Sequence, residues 1–200
     1  MTGHYYSAKP TATHEPHEFE LTLRGRKFVF VTDAGVFSKK GIDYGSKFLI
    51  EEMEIQQHDQ VLDVGCGYGP IGLCAAALAN SGKVTMIDIN ERAVMLCRTN
   101  ANRNGISNVT IMQSDLLAQV AEQSFDKILT NPPIRAGKET VHRIFEQSFE
   151  ALVPGGQLWV VIQKKQGAPS AFTKLGSLFD SVMEVGKDKG FRIYKAVKKP

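Results

Sequence analysis

The sequence is poor in the features that mark several whole classes of protein. It has no apolar run near the roughly 18 residues that a membrane-spanning helix needs. Its opening Met1-Thr2-Gly3-His4-Tyr5-Tyr6 has no apolar signal core, so a cytoplasmic location and no membrane partner are expected. Cysteine is scarce: Cys66, Cys74 and Cys97 are odd in number and contain no CxxC pair. That pattern speaks against a disulfide framework or a zinc site and for reduced, buried thiols. His14 and His17 lie near Glu15 and Glu18, but Pro16 falls between them, and the stretch reads as a solvated polar segment; no metal is expected. No internal repeat is visible, and no linker divides residues 46–200. A chain of 200 residues suits one domain with a single core and a small appendage.

What is present is ordinary in bulk and uneven in detail. The apolar fraction is 42%, the charged fraction 22% and the net charge only +3. The cations, however, cluster: Arg24, Arg26 and Lys27; Lys39 and Lys40; Arg135 and Lys138; Lys164 and Lys165. The tail adds Lys187, Lys189, Arg192, Lys195, Lys198 and Lys199 against Asp188 alone. Such clusters can form a phosphate-binding face, with a solvated surface as the competing reading.

Residues 1–17 carry Pro10 and Pro16, show no periodicity and read as a loosely held arm. Phe19–Leu23 and Lys27–Val31 alternate apolar and polar residues around Arg24-Gly25-Arg26, which predicts a β-hairpin with a basic tip. A glycine-bearing loop from Thr32 to Gly45 follows, then helical spacing over Ser46–Glu54. From residue 61 strands and helices alternate. Strands are predicted at Val61–Val64, Lys83–Ile87, Val109–Gln113, Lys127–Thr130 and Gln157–Ile162. Helices are predicted at Ile71–Asn80, Glu91–Asn104 and Lys138–Leu152, the last before the turn Pro154-Gly155-Gly156. Phe179–Gly186 and Phe191–Val197 read as an antiparallel hairpin at one sheet edge. The pattern predicts an α/β fold: a seven-stranded, mostly parallel sheet with one antiparallel edge strand and helices on both faces. Residues 1–45 would form an N-terminal arm, hairpin and loop packed on a main domain at 46–200.

The chain is organised around Val61-Leu62-Asp63-Val64-Gly65-Cys66-Gly67-Tyr68-Gly69-Pro70-Ile71-Gly72. A buried strand that breaks into glycines and restarts as a helix presents bare backbone N–H groups to a ligand. Gly67–Gly72 satisfies G-x-G-x-x-G, and Asp88 lies about 20 residues on, as in dinucleotide-binding enzymes. Three features turn against a nicotinamide enzyme. Asp63 and Gly65 make the run D-x-G-x-G-x-G, the fourth strand ends in Asn131-Pro132-Pro133, and the sheet closes with a hairpin in place of a second mononucleotide half.

Together these residues resemble the class I methyltransferases that use S-adenosylmethionine, with a Rossmann-like fold, over about residues 46–200. The resemblance implies that Gly65, Gly67 and Gly69 cradle the methionine part of the cofactor, with Asp63 supporting the loop. It places Asp88 on the ribose, Ile89 over the adenine, and Ser114 and Asp115 where the adenine amino group is read. Asn131-Pro132-Pro133 is similar to the motif of exocyclic-amine methyltransferases. In those enzymes the Asn oxygen and the next carbonyl accept hydrogen bonds from a planar –NH2 group, so Asn131, Pro132 and Pro133 are the expected catalytic residues, with Asn131 also beside the cofactor. An aromatic residue usually follows the prolines; here Ile134 does, and Phe37 is a candidate replacement against the target base.

Asn131–Lys138, Asp33–Ser38 and Asp43–Ser46 narrow the resemblance to the catalytic domain of 16S ribosomal RNA guanine-N2 methyltransferases of the RsmC type, in their short single-domain form. The larger members carry a second, degenerate methyltransferase-like domain. RNA is then the expected partner, with Arg135, Lys138, Arg24 and Arg26 on its phosphates, which position a substrate without specifying the base. Protein-glutamine or adenine N-methylation, and RNA binding without catalysis, remain as alternatives.

Overall fold

The computed structural model describes residues 8–9, 12–38 and 41–200. Part of the N-terminal arm, residues 1–7, 10 and 11, and the basic pair Lys39 and Lys40 lie outside the described residues.

The hairpin forms from β1 (His17–Leu23) and β2 (Arg26–Thr32), antiparallel in the register Leu23↔Arg26. Arg24 and Gly25 both take positive φ, 48° and 77°, as a two-residue turn between right-twisted strands requires. The remaining strands are β3 (Gln60–Val64), β4 (Lys83–Asp88), β5 (Val109–Gln113), β6 (Phe125–Thr130), β7 (Leu152–Gln163), β8 (Ser181–Asp188) and β9 (Phe191–Val197). They form one sheet in the order β5-β4-β3-β6-β7-β9-β8. The first five are parallel; β9 runs antiparallel between β7 and β8. This is the Rossmann-like arrangement expected from the alternation. Five helices complete it: α1 (Tyr44–Glu52), α2 (Pro70–Leu78), α3 (Glu91–Arg103), α4 (Lys138–Ala151) and α5 (Ala168–Leu178).

Two apolar layers cover the sheet. One holds Leu49, Leu73 and Cys97 from α1, α2 and α3 together with Phe28 and Phe30 of the hairpin. The other holds Phe145 and Leu175 from α4 and α5. The hairpin is tied to the first layer by two amides four residues apart, Asn100 on α3 and Asn104 at its C-terminal cap. Asn100 and Asn104 each accept from a β2 backbone N–H and donate to the same residue's carbonyl, at Val31 and Val29, with distances of 2.7 to 2.9 Å. Two side chains thus stand in for a neighbouring strand on that edge.

Several boundaries differ from the sequence reading. Helix α1 begins at Tyr44 because the Asp43 carboxylate accepts from Ser46 N at 3.0 Å and caps it. Pro154-Gly155-Gly156, read as a turn, lies within β7, where Gly155 takes φ +77° and its N–H donates to Lys198 O at 3.0 Å. Helix α5 has no counterpart in the sequence reading. Gly167 and Pro169 disguise its start, yet Gly167 takes a left-handed φ of 107° as its cap and Pro169 sits in the first turn, where a missing N–H costs nothing. Among the described residues no helix is long and apolar enough to cross a membrane.

Candidate functional site

The chain steps outward from β3 in one direction to β4 and β5, and in the other to β6 and β7. The crevice where the direction reverses, beyond the strand C-termini, is the usual ligand site of such sheets. Here the reversal lies between β3 and β6. Val64 pairs with Thr130, and the Thr130 hydroxyl donates to Val64 O at 3.0 Å. Gly65 and Asn131 therefore leave adjacent strands side by side. A cleft of about 270 Å³ opens above them, near the lower end of the usual range for small-molecule sites.

The glycines divide their work. Gly65 and Gly67 line the cleft with φ of 75° and 56°, and a Cβ on either would meet nothing within 4 Å. Their bare backbone is open to a ligand at both points. Gly69 caps α2 at φ 106°, and a Cβ there would meet Cys97 Sγ at 2.9 Å, so it turns the chain and faces the core. Gly72 is held as glycine by packing, since a Cβ would meet Met86 Cε at 2.4 Å and Asp63 Oδ2 at 2.8 Å.

Asp63 is fully buried beneath this loop and outside the cleft lining. Its Oδ2 accepts from Gly72 N at 2.8 Å, while Oδ1 has no partner among the described residues. Burial pushes its pKa up to about 7, against the lowering effect of the Gly72 N–H. Asp88 lines the cleft at the end of β4. Its Oδ2 accepts from Gly67 N at 2.9 Å and its Oδ1 from Asn90 N at 2.8 Å. Burial raises its pKa although both N–H groups oppose the shift. Each carboxylate oxygen keeps a lone pair for a hydroxyl. Ile89 lines the same wall, with Ser114 and the exposed Asp115 across from it. The Ser114 hydroxyl is committed to its own turn, donating to Leu116 O at 2.8 Å and accepting from Gln119 N at 3.2 Å. The thiol of Cys66 is held well above its ordinary range by the Cys97 thiol and by burial, and all three cysteines are free and buried.

Asn131 is fixed by two side chains from the start of α1. Its Nδ2 donates to Asp43 Oδ1 at 3.1 Å and to Ser46 Oγ at 3.0 Å. A carboxylate only accepts hydrogen bonds, so the amide nitrogen must face Asp43 and the amide oxygen must face the other way. Among the described residues neither Asn131 Oδ1 nor the Pro132 carbonyl receives a donor, whereas the Pro133 carbonyl accepts Ala136 N at 2.9 Å. Pro132 is buried, and both prolines line the cleft. Sequence reasoning did not single out Asp43 or Ser46 for this part. The D-x-x-S spacing ahead of an apolar helix signals a cap, and nothing in one sequence ties that cap to residue 131.

The expected substrate contacts separate into two groups. Phe37 lines the cleft, 40% exposed. Its loop is pinned by Asn90, whose Nδ2 donates to Gly35 O at 2.8 Å. Ile134 opens a short 3-10 turn (Ile134–Ala136) of which Ala136 lines the cleft; Ile134 itself lines a second, smaller cleft with Lys138, and Arg135 and Lys138 are exposed. Arg24 and Arg26 are elsewhere. Arg24 Nη1 donates to Ile50 O, Glu51 O and Met53 O at 3.0 to 3.1 Å, at the C-terminus of α1. Arg26 Nη2 donates to Asn104 O at 2.8 Å, just past the C-terminus of α3. Helix α3 starts beside the cleft and has 13 residues, so its far end lies about 20 Å away. The structure does not bring these two guanidiniums to the site. His14, in the segment weighed for a metal, bonds through Nδ1 to Asp33 Oδ2 at 2.6 Å.

A Bacillus subtilis (strain 168) protein named "Uncharacterized protein YbxB" is 54% identical over 200 residues, covering 99% of this chain and all of that one. The ribosomal RNA large subunit methyltransferase G of Aeromonas salmonicida (strain A449) is 29% identical over 191 residues. That match covers 92% of this chain and 50% of the enzyme, so the chain spans about half the length of that relative. Among solved structures, the T. thermophilus 16S rRNA N2 G1207 methyltransferase (RsmC), in complex with AdoMet and guanosine, superposes with a TM-score of 0.83. Its sequence identity is 23%, over 95% of this chain and 52% of that one, a likeness of fold. Residues 27–195 match the family described as "Methyltransferase small domain", and the chain belongs to that family of methyltransferases.

Proposed function

We propose that the cleft binds S-adenosylmethionine and that the protein methylates an exocyclic amine, guanine N2 of ribosomal RNA. The observation that carries this reading is the locked amide of Asn131, whose oxygen is turned away from Asp43 and Ser46, next to a Pro132 carbonyl that receives no donor among the described residues. The relative from Aeromonas salmonicida is named a ribosomal RNA methyltransferase, which supports the same substrate class.

The residues present fit the cofactor. Gly65 and Gly67 leave open backbone where a methionine moiety would lie, and the Asp88 carboxylate, fixed by two N–H groups, is placed for ribose hydroxyls. Ile89 and Asp115 stand ready for the two faces of adenine recognition, apolar cover and polar edge. When bound, S-adenosylmethionine supplies an electrophilic sulfonium methyl group with a neutral thioether as leaving group.

The chain's own task is positioning. The nitrogen of a guanine –NH2 is a weak nucleophile because its lone pair is conjugated into the ring. Asn131 Oδ1 and Pro132 O would each accept one of its two protons, holding the nitrogen as it pyramidalises and directing its lone pair at the methyl carbon. Once methylated, the nitrogen would shed its surplus proton to water, since the two carbonyl oxygens accept hydrogen bonds but are too weakly basic to keep a proton. Orientation of this kind is worth several orders of magnitude without a strong base. Phe37 would cover the base at the mouth of the cleft.

The test is transfer of labelled methyl groups to ribosomal RNA and ribosomal subunits from a strain lacking the protein, followed by nucleoside mass spectrometry. N2-methylguanosine is the expected product. N6-methyladenosine would overturn the guanine assignment, and label on protein in place of RNA would overturn the substrate class.

A further inference from the structure

Charge is not paired evenly over this molecule. Several cations away from the cleft are bound to the fold: Lys27 to Glu20, Arg103 to Glu18, Lys174 to Glu146, Arg192 to Glu184 and Lys195 to Glu54; others, Lys83, Arg143 and Lys199, are exposed without an ion pair among the described residues. Arg24, Arg26 and Lys198 are spent on helix-end carbonyls. Around the cleft mouth the unpaired cations are grouped. Arg135, Lys138, Lys164, Lys165, Lys187 and Lys189 are all exposed, and none forms an ion pair among the described residues.

These six residues come from three chain segments that the fold joins. The short turn Lys164–Gln166 follows directly from β7, at the C-terminal end of the parallel strands where the cleft opens. Gln163, the last residue of β7, pairs with Phe191, and Lys164 N donates to Gly190 O at 2.7 Å. That turn and the β8–β9 turn therefore form one ridge. Lys189, at φ 44° in the latter turn, places Nζ 4.6 Å from the centre of the Tyr44 ring. Tyr44 directly follows Asp43, which anchors Asn131. On the other side, Lys138 faces Gln166 and Gly167 across a second cleft of about 150 Å³, whose wall includes Ile134. The turn Ile134–Ala136 stands between the two clefts, and Ala136 lines the first. The acids within these segments and their ends are few: Asp188, bonded by the Tyr44 hydroxyl, and Glu139 beside Lys138.

We propose that this ridge is the docking surface for the sugar–phosphate backbone of the RNA substrate, running from Arg135 and Lys138 past Lys164 and Lys165 to Lys187 and Lys189. The inference rests on the RNA reading above and names the surface that reading needs. Unpaired like charges repel one another and contribute nothing to folding, so their grouping at the mouth is explained by a polyanion that neutralises them. A strand lying on the ridge passes the cleft beside Asn131, where an unpaired guanine can turn in. The basic hairpin tip at Arg24 and Arg26 has no part in it.

The test compares Lys164→Gln/Lys165→Gln/Lys189→Gln with Lys83→Gln/Lys199→Gln, which removes two exposed cations from the opposite end of the sheet. The probe is ribosomal RNA from the strain lacking the protein. For the ridge variant, KM for RNA should rise at least tenfold, with kcat within twofold and cofactor affinity unchanged. The slope of log affinity against log salt should flatten by about 2, at roughly 0.7 per phosphate contact on single strands. The single Lys189→Gln, on an exposed turn, should shift KM the same way by a smaller factor and serves if the triple variant unfolds. An unchanged KM and slope, or an equal loss in the distal variant, overturns the surface. So does loss of binding to anionic vesicles with RNA binding retained. RNA binding that depends on the ridge without methyl transfer to any RNA would instead overturn the proposed reaction and leave the surface standing.

Discussion

Asn131 matters less for its identity than for the direction in which its amide is held. Asp43 and Ser46 are both acceptors here, and both take the nitrogen, so the oxygen has one orientation. Asn131→Ala should retain cofactor affinity by calorimetry and lose about 10²- to 10³-fold in kcat, a loss of the size seen when one fixed polar contact to a reacting group is removed. Ser46→Ala removes one of the two anchors. It should cost about tenfold in kcat, roughly one hydrogen bond's worth of orientation, with KM for RNA unchanged. Equal losses of melting temperature and activity in Ser46→Ala would mark the serine as merely structural. The asparagine and its prolines were legible in the sequence because they form a contiguous motif at a strand end. Asp43 and Ser46 were not, because their partner is 88 and 85 residues away and their spacing already has a local explanation as a cap.

At the scale of elements, the N-terminal hairpin was legible from its alternation and its Arg-Gly turn, but the purpose of its basic tip was not. Two arginines in a turn look alike whether they face a phosphate or a helix end. Here Arg24 collects three carbonyls that α1 leaves without intrahelical partners, and its charge suits the negative end of the helix. Arg24→Ala should therefore lower stability by about 1 kcal/mol in urea titrations, with the salt dependence of RNA binding unaltered. A flattened salt slope with unchanged stability would return Arg24 to the RNA surface. Helix α5 escaped notice for a related reason. Its start carries Gly167 and Pro169, residues that punctuate turns as readily as they begin helices, and they mask the helical spacing of Ala168, Ala171, Phe172, Leu175 and Leu178.

For the molecule as a whole, a buried acid in the middle of the sheet makes stability depend on pH. Asp63 has an ordinary pKa of 3.8 and a folded pKa of about 7. Between those values the folded state binds more protons than the unfolded chain. The contribution of Asp63 to stability is thus most favourable below about pH 4, falls as pH rises, and levels off above about 7. Asp63→Asn keeps an acceptor for Gly72 N–H but cannot ionise. The melting temperature of the wild-type protein, measured relative to Asp63→Asn, should fall between pH 5 and pH 8 at constant ionic strength. Parallel curves would mean that Asp63 is neutral, or ionised, in both states across that range. The order of strands was readable as far as alternation goes, since β-α-β rhythm implies a parallel sheet. The reversal between β3 and β6 was not readable, because no local pattern says which strands become neighbours.

That reversal governs when the site comes into being. Val64 and Thr130 are hydrogen-bonded across the sheet, yet 66 residues of chain separate them. Closing so long a loop costs entropy that no nearby contact repays in advance. The glycine loop and the asparagine loop therefore share a wall only in a chain in which β6 is paired with β3. A ligand that touches both loops can hold only a chain that has completed this closure, so saturating cofactor adds its full linkage free energy to the finished fold and none to anything earlier.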